Sequence, residues 1–193
     1  MPEMPDELAL ASRAGLPDPL RVLVGQYPRI GWEAHPHFTA LIRFWLERHL
    51  GFRRMQRLLV AETRAFLDQE REARGYANGL YRVAGQYLNE LHGHHQIEDQ
   101  HYFPLLRTLD ARLVPGFDLL DADHHALDAA IERMAGASNA VLSAILNAAP
   151  ADVAAGNLEQ CLAEFGGLID RHLVDEEELV VPVILDHPEA GIG

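Results

Sequence analysis

Cysteine is nearly absent from this chain of 193 residues: Cys161 stands alone. That excludes an internal disulfide framework and any cysteine-based zinc knuckle. Positive charge is also scarce, with 16 basic residues against 29 acidic ones and a formal net charge of −13 at pH 7. Lacking a basic stripe for phosphates, the chain is expected to bind no nucleic acid and no anionic membrane surface. No uninterrupted apolar run reaches the ~18 residues of a membrane span. The acidic start, Met1-Pro-Glu-Met-Pro-Asp-Glu, has no basic segment ahead of an apolar one, so no signal peptide is visible. No segment shows the two-residue alternation of a half-buried strand. At 48% apolar residues the chain is too rich in core formers to be disordered. A soluble, cytoplasmic, acidic globular protein is expected. What it has in quantity is histidine, 11 in all.

Proline and glycine divide the chain unevenly. Pro2, Pro5, Pro17, Pro19, Pro28 and Pro36 crowd the first 36 residues, which read as an irregular N-terminal arm. Residues 37–185 read as a helical bundle and 186–193 as a C-terminal tail. Breaks are expected at Gly75-Tyr-Ala-Asn-Gly79, at Asp110-Ala-Arg-Leu-Val-Pro-Gly116 and at Asn147-Ala-Ala-Pro-Ala-Asp152. Four helices of about 30 residues, each about 45 Å long, fit between them. Apolar residues recur at helical spacing: Phe38, Ile42, Trp45 and Phe52 in the first; Leu80, Ala84, Tyr87, Leu91 and Leu105 in the second; Leu120, Leu127, Ile131 and Met134 in the third; Leu158, Leu162, Phe165, Ile169, Leu179 and Val183 in the fourth. Short connections make neighbours antiparallel. The fold class is therefore all-α, an up-down-up-down four-helix bundle.

The gaps in those stripes hold the chemistry. His49 fills the gap of the first helix; His94, Glu98 and His101 follow Leu91 in the second; His124 sits between Leu120 and Leu127; His172 and Glu176 stand between Ile169 and Leu179. Residues four apart share a helix face, and buried imidazoles and carboxylates are costly unless paired or metal-bound. Residues at one height of an antiparallel hairpin lie equally far from its turn. The midpoints between successive groups fall at 72.5, 110 and 149, beside the three breaks. His49, His94, Glu98, His124, His172 and Glu176 are thus expected in one layer. His49 and His124 are 75 residues apart, His94 and His172 are 78, so each helix pair carries a lone His and a His-x-x-x-Glu. That near two-fold pattern suits two metal ions, each taking two histidines, with the glutamates free to bridge. Imidazole with carboxylate suits iron, and also manganese or zinc.

Other residues are assigned lesser roles. His125, the rival to His124, lies off the stripe and is expected to face solvent; His95, also off the stripe, and His92, at its edge, are expected at the surface or behind the ligands. His101 and Asp128 are candidates to complete the site or to orient it. The run Asp175-Glu-Glu-Glu178 is read as a solvated face apart from Glu176.

The segment His94-His-Gln-Ile-Glu98-Asp-Gln-His-Tyr-Phe-Pro104 resembles the HHxxE(E/D)xxxFP signature of the hemerythrin-like (HHE cation-binding) domain. His172-Leu-Val-Asp-Glu176-Glu-Glu-Leu-Val-Val-Pro182 is similar to the fourth-helix HxxxEE segment of that family, and Asp123-His124-His-Ala-Leu127 to its third-helix motif. His49 falls where the first-helix histidine is expected. The resemblance spans roughly residues 37–185. It implies a carboxylate-bridged non-haem di-iron centre, oxo- or hydroxo-bridged, that takes a small diatomic or oxidant ligand such as dioxygen or nitric oxide. Oxygen carriers of the family have a further third-helix histidine where this chain has Asp128, and HxxxxD where it has HxxxE. These departures point away from oxygen transport and toward sensing, iron or redox chemistry. The alternative is an enzyme that reduces peroxide or nitric oxide or supplies iron for iron–sulfur cluster repair. Homo-oligomerisation is left open.

Overall fold

A computed structural model describes residues 5–191; residues 1–4 of the expected arm and 192–193 of the expected tail lie outside the described residues. Four long helices dominate: α2 (Ala40–Leu67), α3 (Ala73–Ile97), α5 (Val114–Leu146) and α6 (Asp152–Asp186), with two short ones, α1 (Val22–Gln26) and α4 (Phe103–Leu106). No strand occurs among the described residues. This is the expected all-α bundle. None of the helices described is long and apolar enough to cross a membrane.

Local chemistry explains the helix ends, and it corrects one expected break. Thr39 Oγ1 accepts a hydrogen bond from the Ile42 amide at 3.3 Å, capping the start of α2. The first turn falls at residues 68–72, whereas Gly75 and Gly79 lie inside α3. Gln69 ends α2 by adopting φ +63°. Its amide donates to Phe66 O at 3.0 Å and the Glu70 amide to Ala65 O at 2.8 Å, the paired bonds of a Schellman stop. Ala148 (φ +52°) ends α5 the same way, with Ala148 N–H to Ile145 O at 3.1 Å and Ala149 N–H to Ala144 O at 2.9 Å. Neither stop uses glycine, so composition gave no sign of where the first one lies. Pro115 and Gly116 open α5 rather than precede it, consistent with the tolerance of proline in a first turn.

A second departure is a π-helical turn at Glu98–Tyr102, between α3 and α4. A widened turn holds an extra residue and rotates everything after it. The stripe expected to continue through His101 and Leu105 therefore passes to Phe103 and Leu106, both buried, while His101 and Leu105 are exposed.

The described residues fall into two units. One comprises residues up to Leu50, His95–Ala126 and the chain from Asp170 onward; the other comprises Gly51–His94 and Leu127–Ile169. In the first, Leu16, Leu20, Leu23 and Trp32 of the N-terminal arm join Ile42, Phe117, Leu120 and Val183 in one apolar cluster, each large side chain contributing about 1.5–3 kcal/mol by burial. The arm is packed into this core. In the second, Phe52, Tyr87 and Phe165 pack ring to ring, and Gln56 Nε2 donates to Leu162 O at 2.5 Å.

Candidate metal centre

Five of the six residues expected in one layer lie in the first unit: His49, Glu98, His124, His172 and Glu176, each at most 2% exposed. His94 ends the second unit, is half-buried, and has its ring 5.2 Å from that of Phe52. Two sets of side chains could each hold a metal ion. Within the first unit they are His95, His124 and His172, and His49, Glu98 and Glu176, with ligand atoms within 4.8 Å of one another in each set. Within that unit the division is three histidines against one histidine and two carboxylates.

His95 is the correction. Expected outside the site, it is 3% exposed and stacks on His124, ring centroids 4.1 Å apart, with His172 edge-on at 5.3 Å. The inward face of a helix spans 100° or more, and successive residues are separated by about 100°. Both members of a His-His doublet can therefore border the interior. The doublet itself was the signal; assigning one residue per turn to the stripe concealed it.

The histidines are oriented from behind by carboxylates. Nδ1 of His124 pairs with Asp99 at 2.7 Å, Nδ1 of His49 with Glu177 at 3.0 Å and Nδ1 of His172 with Asp123 at 3.3 Å. A carboxylate that accepts from Nδ1–H places the lone pair on Nε2 and fixes the ring. The three Nε2 atoms then face glutamates. His49 Nε2 is 3.4 Å from Glu176 Oε1 and His172 Nε2 is 3.4 Å from Glu176 Oε2. His124 Nε2 is 3.6 Å from Glu98 Oε2. Glu176 thus presents one oxygen toward a histidine of each set, and Trp45 Nε1 donates to its Oε1. The run from Asp175 to Glu178, expected to be solvated, is largely interior: Asp175 is 0% and Glu177 1% exposed.

The electrostatics are those of a cation site. Burial and then the neighbouring Glu176 hold Glu98 well above the usual carboxylate range. For His172, burial alone would lower the pKa, but Asp123 and Glu176 outweigh it and raise it to about 9. His49 is raised likewise against burial, by Glu176 and Glu177. Opposing its own burial, the Arg13 guanidinium and His172 keep Asp123 below its ordinary value. Two adjacent carboxylates among imidazoles, out of water, form an arrangement that a multivalent cation relieves. The donors fit one: His124 Nε2 is buried and takes no hydrogen bond among the described residues.

The family model of the hemerythrin HHE cation-binding domain matches residues 40–184. The chain belongs to that family. Neither a curated protein nor a solved structure matches it.

Within this hemerythrin domain the remaining candidates sit apart from the cluster. His125 is exposed, as expected. His101 is exposed because of the π turn. Asp128 faces His92 at 3.6 Å, both side chains about half exposed at 50% and 52%. Neither His101 nor Asp128 belongs to either set. Sequence reasoning missed Arg13 entirely. It lies in the irregular arm, 8% exposed, and binds Asp123 and Asp175, partners 110 and 162 residues away.

Proposed function

We propose that this hemerythrin domain carries a non-haem pair of iron ions and uses it to bind or sense dioxygen, nitric oxide or a related oxidant, or iron itself. The observation that carries the reading is the placement of Glu176, one carboxylate oxygen toward His49 and the other toward His172, which is how a carboxylate shared by two ions would stand. His95, His124 and His172 would hold one ion, and His49, Glu98 and Glu176 would hold the other. Such a pair, when bound, supplies one-electron redox chemistry and coordination positions open to a small ligand.

The rest of the work belongs to the protein. Asp99, Glu177 and Asp123 each hold an Nδ1 proton and so keep Nε2 turned inward. Trp45 fixes one oxygen of Glu176 through Nε1. Phe103, 2% exposed, covers His124 with its ring 5.4 Å away and keeps water from that face. Elemental analysis of protein made in iron-replete cells and purified without chelators tests the reading. Two irons per chain, with loss of the iron's absorption on mutation of Glu176, is the expected result. No iron, and none taken up on anaerobic addition, would overturn it.

A catalytic variant of this reading has the loaded centre reduce peroxide or nitric oxide, or deliver iron for cluster repair. Its mark would be repeated turnover of the oxidant, where a sensor gives a single stoichiometric reaction.

A further inference from the structure

The N-terminal arm reaches the site through two arginines. Arg13 donates from Nη1 to Asp123 Oδ1 at 2.7 Å, from Nη2 to Asp123 Oδ2, and from Nε to Asp175 Oδ2 at 2.8 Å. Its Nη1 also donates to Leu8 O at 3.1 Å, which ties the guanidinium to its own arm. Asp123 Oδ2 is the atom paired with His172 Nδ1 at 3.3 Å. Arg29 repeats the pattern on the other set: its Nη2 donates to Glu177 Oε2, and Glu177 Oε1 faces His49 Nδ1 at 3.0 Å. The Arg29 guanidinium lies over the Trp32 ring, 5.1 Å from its centroid.

We propose that the arm is a positioning element of the metal centre, with Arg13 and Arg29 each closing a guanidinium–carboxylate–imidazole relay, one to each set of ligands. The proposal rests on the reading of the site as a metal centre. An anchor serving the arm alone could use any surface group. These two arginines instead bind Asp123 and Glu177, each of which also pairs with Nδ1 of an imidazole of the site. A planar guanidinium gripping both oxygens of Asp123 fixes that carboxylate in plane as well as in place. It also places one positive charge between Asp123 and Asp175, which offsets the repulsion between these two buried anions. Arg171 supports the same corner, donating to Asp175 Oδ1 at 2.5 Å and to Ala14 O of the arm at 2.6 Å. Orientation of His172 and His49 thereby depends on an arm whose described residues belong to neither set of ligands.

The test uses the full chain, made metal-free and titrated anaerobically with cobalt(II), whose visible bands report donor geometry. Arg13→Gln and Arg29→Gln are each expected to bind two cobalt ions with altered bands and with one of the two affinities weakened about tenfold to a hundredfold. Arg13→Lys, which restores charge but not the fork, is expected to fall between Arg13→Gln and the parent. Parent-like bands and affinities in both glutamine variants would overturn the proposal and leave the arginines as packing alone. Should Arg13→Gln lose its helical circular dichroism, Arg29→Gln decides the matter, because the Arg29 side chain is 50% exposed and its loss threatens the fold least. A parent chain that takes up no cobalt would instead overturn the metal centre itself, and this proposal with it.

Discussion

Asp99 stands directly behind His124, its Oδ1 2.7 Å from Nδ1, while Nε2 on the far side of the ring faces Glu98. The two residues come from different segments, Asp99 from the π turn and His124 from α5. The widened turn that displaces His101 therefore also delivers the group that orients His124. Replacing Asp99 by Asn removes the charge but keeps the size. We expect about a tenfold loss of metal affinity at the three-histidine set, read by competition with a chelator of known affinity. Unchanged affinity would mean that stacking on His95 and Phe103 suffices to hold the ring.

His95 yields the sharpest contrast with its neighbours. His95→Ala removes one of three nitrogens from the set with His124 and His172, and metal content is expected to fall from two ions to one. His125→Ala, on an exposed side chain, should leave it at two. Equal content in both variants, measured by elemental analysis on the same preparation, would remove His95 from the site.

Glu98 sets metal binding against stability. It is 1% exposed with Glu176 beside it, an arrangement suited to a cation and strained without one. Glu98→Gln should therefore stabilise the metal-free chain by about 1 kcal/mol, or roughly 2–4 °C in Tm for a chain of this size, while weakening metal uptake. A lower melting temperature for the metal-free variant would show that Glu98 is held by contacts that favour its carboxyl over an amide.

The helix stops make a prediction independent of any metal. Ala148 holds φ +52°, a conformation that disfavours a Cβ by about 1–2 kcal/mol and that glycine adopts freely. Allowing for the entropy glycine brings to the unfolded chain, Ala148→Gly is expected to stabilise by up to about 1 kcal/mol. Denaturant unfolding checks the sign: a shift of the midpoint to lower denaturant would contradict the Schellman stop.

Residue spacing alone settled much of this protein. Helical periodicity and the absence of alternating segments implied an all-helical chain, because both are local properties that tertiary packing had no reason to override. The same holds for His172 with Glu176, 3.4 Å apart. Four residues bring a side chain back to the same face of any α-helix, so their pairing needs no knowledge of what lies opposite. Packing decided the rest. The π turn moved burial from Leu105 to Leu106 by inserting one residue that no propensity announces. His95 joined the site because the interior is wider than a single stripe. Asp175 and Glu177, expected as surface charges, are buried, and Asp123 is buried behind His172, because Arg13 and Arg29 arrive from the distant arm to offset their charge. A charge can be buried only where its counter-charge is brought, and for Asp123 and Glu177 the guanidinium comes from more than 100 residues away in the chain.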